Sequence, residues 1–236
     1  MWGREVDGRA LSFKLAGINN QNFIMADAET GSWWQQVSGE ALHGPLKGRR
    51  LADVYHEELS FGVWRSEHPE GRVLRPDATN DEWKQFSEDW EAKTARAPVV
   101  TQQDARDALA PRDVVVGVTA DGAAKAYPLA AVERQGLIVD QLGGTRLLVA
   151  LGDDRKSVRV FESTLDGRPL EFYARPGASP FEMIDAETNT TWDFTGRATS
   201  GPLAGRELKK LPALKDYWFD WKLYHPQTSV YALGQR

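Results

Sequence analysis

The sequence predicts a mainly β chain of the α+β kind, built as two pseudo-repeated antiparallel β units joined by a short helical connector. Three observations predict it. A string of residues near the N-terminus returns in the C-terminal half. The segments around these strings are short β-branched or alternating runs separated by Gly and Asp turns. Between the two halves, aromatic residues fall at helical spacing.

The repeat is read residue by residue. Asp7-Gly8-Arg9-x-Leu11-x-Phe13 returns as Asp166-Gly167-Arg168-x-Leu170-x-Phe172. Phe23-x-Met25-x-Asp27-Ala28-Glu29-Thr30 returns as Phe181-x-Met183-x-Asp185-Ala186-Glu187-Thr188, and Trp34 matches Trp192. Gly39 and Ala41 match Gly196 and Ala198, and Gly44-Pro45-Leu46-x-Gly48-Arg49-x-Leu51 matches Gly201-Pro202-Leu203-x-Gly205-Arg206-x-Leu208. Trp64, His68-Pro69 and Val73 match Trp221, His225-Pro226 and Val230. With two single-residue gaps, 24 of the 67 positions from Asp7 to Val73 are identical. Chance agreement at ordinary residue usage would be roughly four.

Inside the repeat, Arg9–Lys14 and Phe23–Asp27 alternate as strands do, Asp27–Gly31 reads as a turn, and Ser32–Val37 is the returning strand. Ahead of the second copy, Val114–Val118, Ala126–Leu129, Ile138–Asp140 and Arg146–Leu151 are further strands and hairpins. In the connector, Trp83, Phe86 and Trp90 predict a helix from Asn80 to Lys93, and Thr101 with Asp104 predicts a short one to about Leu109. The organisation expected is therefore 1–74, an incomplete first repeat; 75–113, a helical connector; and 114–236, a complete second repeat. The first copy lacks a counterpart to 114–159, since Met1 aligns with Val160 in mid-strand. Sequence upstream of Met1 or another chain would supply the missing strands, the former being the preferred reading.

Composition excludes several function classes. The chain has 236 residues, no Cys, and 29 Lys and Arg against 34 Asp and Glu, a net charge of −5. Disulfides, thiolate metal sites and a cysteine nucleophile within this sequence are excluded. Nucleic acid is not an expected partner, because phosphate binding needs clustered cations. No run approaches the ~18 apolar residues of a membrane span. No signal peptide is readable after Met1. There is no Gly-x-Ser-x-Gly elbow, no phosphate loop and no His pair at metal-ligand spacing, so neither a metal nor a cofactor is expected.

The motif Asp27-x-x-Thr30-x-Ser32-x-Trp34-x-Gln36-x-x-Gly39, with Gly44-Pro45-Leu46-x-Gly48-x-x-Leu51 and Trp64-x-x-x-His68-Pro69, resembles a bacterial family catalogued as domain of unknown function 3179. Val116-Gly117-Val118, Ala126–Leu129 and Val139-Asp140 resemble that family's N-terminal block. The resemblance implies no established reaction. It does imply that members carry a Cys-x-x-Cys or Cys-x-x-selenocysteine before the strand that opens this sequence, and that many are exported. On this reading the chain is N-terminally truncated, and its reactive pair would lie upstream of Met1.

Two functions stay open. One is a part of a thiol or selenol redox protein, in which Asp27, Thr30, Ser32, Trp34 and Gln36 would surround the reactive group. The other is a non-catalytic Trp-rich module using Trp33, Trp34 or Trp64 against a small molecule or protein, such as a sugar or peptide. For Asp27, Thr30 and Trp34 a purely structural role stands beside the functional one, because the same residues recur in the second copy. The binding candidates are thus Asp27, Thr30, Ser32, Trp33, Trp34, Gln36 and His68.

Overall fold

A computed structural model describes residues 1–19, 22–74, 88–100, 104 and 106–232. The chain is mainly β, 40% strand and 13% helix, and its sheets are antiparallel but for one strand pair. In the N-terminal half, β1 (Glu5–Val6) and β2 (Arg9–Ala10) form a small hairpin. A four-stranded meander follows: β3 (Phe13–Asn19), β4 (Asn22–Asp27), β5 (Trp33–Gln35) and β6 (Ala41–His43). The β1–β2 turn is Asp7-Gly8, both at positive φ (52° and 75°). That is the backbone a two-residue turn between twisted strands requires, and Asp-Gly adopts it at low cost. Helices α1 (Phe61–Glu67) and α2 (Trp90–Arg96) come next.

The C-terminal half opens with β7 (Val114–Ala120) and β8 (Ala123–Pro128), hairpinned through Asp121-Gly122 at φ 49° and 75°. After α3 (Leu129–Gln135) come β9 (Leu137–Leu142), β10 (Thr145–Leu151) and β11 (Val158–Glu162). A second small hairpin, β12 (Thr164–Leu165) with β13 (Arg168–Pro169), turns at Asp166-Gly167 with φ of 50° and 75°. A second meander consists of β14 (Phe172–Ala174), β15 (Glu182–Asp185), β16 (Thr191–Asp193) and β17 (Ala198–Ser200). The chain then runs through β18 (Lys210–Leu211), β19 (Ala213–Tyr217), α4 (Trp218–Tyr224) and β20 (Ser229–Val230). Strands β18-β11-β10-β9 make one sheet and β19-β7-β8-β20 another, with β20 parallel to β8.

Near-continuous apolar runs are what a strand covered on both faces needs. Leu147–Leu151 is such a run, and it is buried throughout. Leu147 and Val149 point into a core with Val116, Val118, Tyr127 and Val160, while Leu148 and Ala150 point into another with Phe161, Phe172, Met183 and Trp192. The N-terminal meander has its own core of Val6, Leu11, Trp34, Ala41 and Leu51.

Several local expectations are corrected. The strand expected over Arg9–Lys14 breaks after Ala10, because Leu11 turns into the core and Ser12 gives its amide to Glu29. The strand expected over Ser32–Val37 is only Trp33–Gln35: Asp27 takes the Ser32 amide, and the chain turns at Ser38, whose hydroxyl bonds Gln35. Residues 106–109 form turns rather than the end of a helix, with Asp104 accepting the Arg106 amide instead of capping one. Of the helix expected over Asn80–Lys93, Trp90–Lys93 is helical, whereas Trp83 and Phe86, like Thr101, lie outside the described residues. At the N-terminus, Trp2 bridges Asp53 in antiparallel fashion.

Candidate functional site

The turn between β4 and β5 gathers four of the sequence-derived candidates. Asp27 is the last residue of β4, and its carboxylate points back into the turn it starts. One oxygen accepts the Thr30 amide; the other accepts the Thr30 hydroxyl (2.9 Å), the Ser32 amide (3.1 Å) and the Trp34 indole N–H (2.8 Å). Burial opposes ionisation of Asp27, but the bonds from Trp34, Thr30 and Ser32 outweigh it and hold the carboxyl below its usual range. The Ser32 hydroxyl lies 2.7 Å from that of Thr30 and accepts the Leu46 amide (3.0 Å), tying the turn to the Gly44-Pro45-Leu46 loop. Trp34 is fully buried against Phe13.

A closely similar set of bonds, without a counterpart of the Ser32 amide bond, surrounds Asp185. Its carboxylate accepts the Thr188 amide and hydroxyl and the Trp192 indole N–H (2.9 Å), and the Thr190 hydroxyl accepts the Leu203 amide (3.2 Å). Trp192 packs edge-on against Phe172 as Trp34 does against Phe13. Arg206 pairs with Asp166, and Arg49 with Asp7. The two ion pairs are surface-exposed, whereas Asp27 and Asp185 are buried and direct their hydrogen bonds inward, which is how a buried polar network is stabilised.

The remaining candidates lie elsewhere. Gln36 is exposed and accepts the Phe23 amide through its side chain (3.2 Å), extending the β4–β5 ladder by one residue. Trp33 is 49% exposed, on the opposite face of β5 from Trp34, with the His43 ring set edge-on to it (5.8 Å). Because Trp33 buries little, Trp33→Ala is expected to shift the urea unfolding free energy by less than about 0.5 kcal/mol. His68 belongs to a different element: it follows α1 as its C-cap, its amide bonded to the Trp64 carbonyl and its ring 5.8 Å from that of Trp64. His225 ends α4 in the same conformation, with its amide on the Trp221 carbonyl.

A second polar cluster lies at the seam of the two halves, where the N-terminal meander meets α4. Asn22, at the start of β4, donates to Asp220 (2.6 Å), and Gln35 of β5 donates to the Tyr224 hydroxyl (3.1 Å). Asp220 is hydrogen-bonded to Asp216, which also accepts the Tyr217 amide (2.7 Å). Burial and the neighbouring Asp220 charge push the Asp216 carboxyl up to about 8, so one proton is held between the two carboxyls. Facing the pair are Glu58, which opposes ionisation of Asp216, and Arg112, which favours ionisation of Asp220. Sequence spacing gave only part of this: Asp220 and Tyr224 lie four apart on α4, while Asp216 reaches Asp220 from the end of β19; the matching positions of the first half are Leu59, Val63 and Glu67.

The sign of the pH effect follows. A carboxyl whose folded pKa is raised contributes stability that is full below the unfolded value near 3.8 and is lost as pH rises through about 8. An Asn at position 216 can donate to Asp220 and accept from Tyr217 without titrating. The urea midpoint of the wild type should therefore fall between mildly acidic pH and pH values past about 8. That of Asp216→Asn should be flatter over the same interval. Parallel curves would contradict the shared proton.

The seam is closed on its other side by Arg159, 2% exposed, whose guanidinium forks onto both Glu57 (2.7 and 2.9 Å) and Glu67 (2.7 and 2.7 Å) while stacking on Phe194. Lys210 adds a bond to Glu57 (2.9 Å). Among the described residues no group of three or more His, Asp or Glu is arranged to hold a metal ion, and no helix is long and apolar enough to cross a membrane.

No curated protein and no solved structure matches the chain. The model of one family does, over residues 1–228, and so takes in both meanders, the seam and both His-Pro helix ends. The chain belongs to that family, described as protein of unknown function, DUF3179.

Proposed function

We propose that the chain is a non-catalytic, protein-binding module whose contact surface is the aromatic ridge of α1. The observation that carries this reading is the exposure of that ridge. Phe61 is 57% exposed and stacks on a partly exposed Trp64 (5.8 Å), which leads on to His68. Their sequence counterparts on α4, Trp218 and Trp221, are each 3% exposed. Trp and its aromatic neighbours are the residues on which binding energy concentrates when they are desolvated by a partner. We also infer that 1–74 and 114–236 derive from one repeated unit, with 75–113 as the connector between them. The 24 shared positions and the shared hydrogen bonds of Asp27 and Asp185 support this.

The thiol or selenol reading is supported by the resemblance alone. The side chains that would surround such a group, Asp27, Thr30, Ser32 and Trp34, direct their bonds to one another and to the Leu46 amide. Trp34 is fully buried and so offers no binding surface, which leaves Trp33 and Trp64 as the Trp candidates for contact.

A photo-crosslinking side chain at position 61 tests the module reading. Irradiated in the source cells, it should yield a discrete adduct with one polypeptide, identifiable by mass spectrometry and lost when Trp64→Ala is added. The same side chain at Val100, which is 72% exposed, should not yield it. Equal yields from the two positions, or no adduct from position 61, would overturn the reading.

A further inference from the structure

The best guide to what sits on α1 is what sits on α4. The two helices are matched in detail: Trp64-x-x-x-His68-Pro69 against Trp221-x-x-x-His225-Pro226, with His68 and His225 in the same backbone conformation (φ −126° and ψ 66°; φ −127° and ψ 66°). On α4, Trp218 and Trp221 are covered by the β7–β8 hairpin through Val115, Ala124 and Ala126. The fit is close at one point. A Cβ built on Gly117 of β7 would lie 2.3 Å from the Trp221 ring, so no larger residue could occupy that position with the indole in place. Charge fixes the other edge: Lys222 pairs with Asp107, upstream of β7, and Asp107 also accepts the Trp218 indole N–H (3.3 Å).

On α1 the aromatic stripe and the cation are present, but among the described residues no hairpin covers them: the Trp64 ring lies against Phe61 and His68, and against Gly71, where an added Cβ would lie 2.5 Å from it. Phe61 stands where Trp218 does, and Arg65 where Lys222 does. Arg65 has no ion-pair partner among the described residues, and none of the residues of α1 is buried. Resting on the module reading above, we infer that α1 docks a β-hairpin of the β7–β8 kind, supplied from outside residues 107–128 of this chain, which are already seated on α4. Its first strand places glycine against Trp64, and an acidic residue ahead of that strand meets Arg65. A second copy of this chain is not the natural donor, because its own β7–β8 hairpin is already seated on its α4.

The hairpin's own sequence supplies the probe. A labelled peptide of residues 107–128, closed by a disulfide through Ala120→Cys and Ala123→Cys, holds the β7–β8 pairing at a cross-strand position that faces away from α4. The chain has no Cys to exchange with it. Fluorescence anisotropy against the full chain should show saturable binding. Trp64→Ala in the chain, or Gly117→Leu in the peptide, should weaken it by at least ~10-fold, the scale of a buried aromatic anchor. Arg65→Glu should weaken it too, and Asp107→Lys in the peptide should restore it. Arg65 is exposed, so this pair remains informative if Trp64→Ala disturbs folding. Failure to bind, or binding indifferent to both Trp64→Ala and Gly117→Leu, would overturn the hairpin. So would self-association of the chain abolished by Trp64→Ala, which would make a second copy the occupant. A ridge that crosslinks to a polypeptide yet refuses this hairpin overturns the present inference and leaves the module reading standing.

Discussion

Arg159→Met should lower the unfolding free energy by about 3–5 kcal/mol, the range observed when one partner of a buried ion pair is removed. The guanidinium holds two carboxylates at once, those of Glu57 and Glu67, whose side chains are only 18% and 21% exposed. Without it, two largely desolvated negative charges, Glu57 and the last residue of α1, Glu67, are left against β11, and Lys210 remains to offset Glu57. The effect should be localised. Glu57 and Glu67 belong to the N-terminal half and Arg159 to β11, so the loss should first free the stretch 54–67 from the second half, where limited proteolysis would detect it. The acid limb gives an independent check. Burial raises the Glu57 carboxyl, but Arg159 and Lys210 more than reverse this and hold it at about 2. A depressed carboxyl contributes stability that is present above its unfolded value near 4.5 and lost as pH falls towards 2. Arg159→Met should flatten that limb. Adding Glu57→Gln and Glu67→Gln should recover much of the loss, because the uncompensated charges are then gone. An unfolding free energy for Arg159→Met within about 1 kcal/mol of wild type would show that the pairs are too well solvated to matter.

How much of this was legible in the sequence depended on how local each interaction is. The Asp-Gly hairpins and the Asp27–Trp34 turn could be read directly, because their bonds join residues three to seven positions apart. The mainly β class followed from runs such as Leu147–Leu151. The helices α1 and α4 were not legible. Phe61–Glu67 and Trp218–Tyr224 are two-turn helices, too short for periodicity to separate them from a turn, and α4 is buried on all sides of its first turn. The seam was out of reach for another reason. Arg159 meets carboxylates 102 and 92 residues away, and Asn22 meets Asp220 across 198. Nothing in one sequence marks which distant Glu belongs to which Arg. Asp220 and Tyr224 were a partial exception: their four-residue spacing was visible, but that Asp216 reaches Asp220 from the end of β19 was not.

The two carboxylates at the centre of the meander turns offer the sharpest separation of fold from function at the sequence-derived site. Asp27→Ala leaves the buried Trp34 indole N–H and the partly buried Thr30 amide without an acceptor, and leaves the Ser32 amide only the long bond to the Thr30 hydroxyl (3.3 Å). Each buried donor so stranded costs about 1–3 kcal/mol, with incomplete additivity, so a total loss of roughly 3–5 kcal/mol is expected. Asp185→Ala strands the Trp192 indole N–H and the Thr188 amide and should cost a similar amount. The Asn variants should each lose less, because one oxygen still accepts, though the amide group then faces donors rather than accepting from them. Urea titration with near-UV circular dichroism of the buried tryptophans would follow both. A structural joint predicts that the Asp27 and Asp185 variants fall together and that neither alters hairpin binding at α1 while the chain remains folded. A site at Asp27 predicts something different: its replacement would be tolerated in stability far better than that of Asp185, since residues held for chemistry are not also the best ones for holding the fold. Stability loss at Asp185 with none at Asp27 would therefore remove the structural account of this turn and return Asp27, Thr30 and Ser32 to candidacy as a working site.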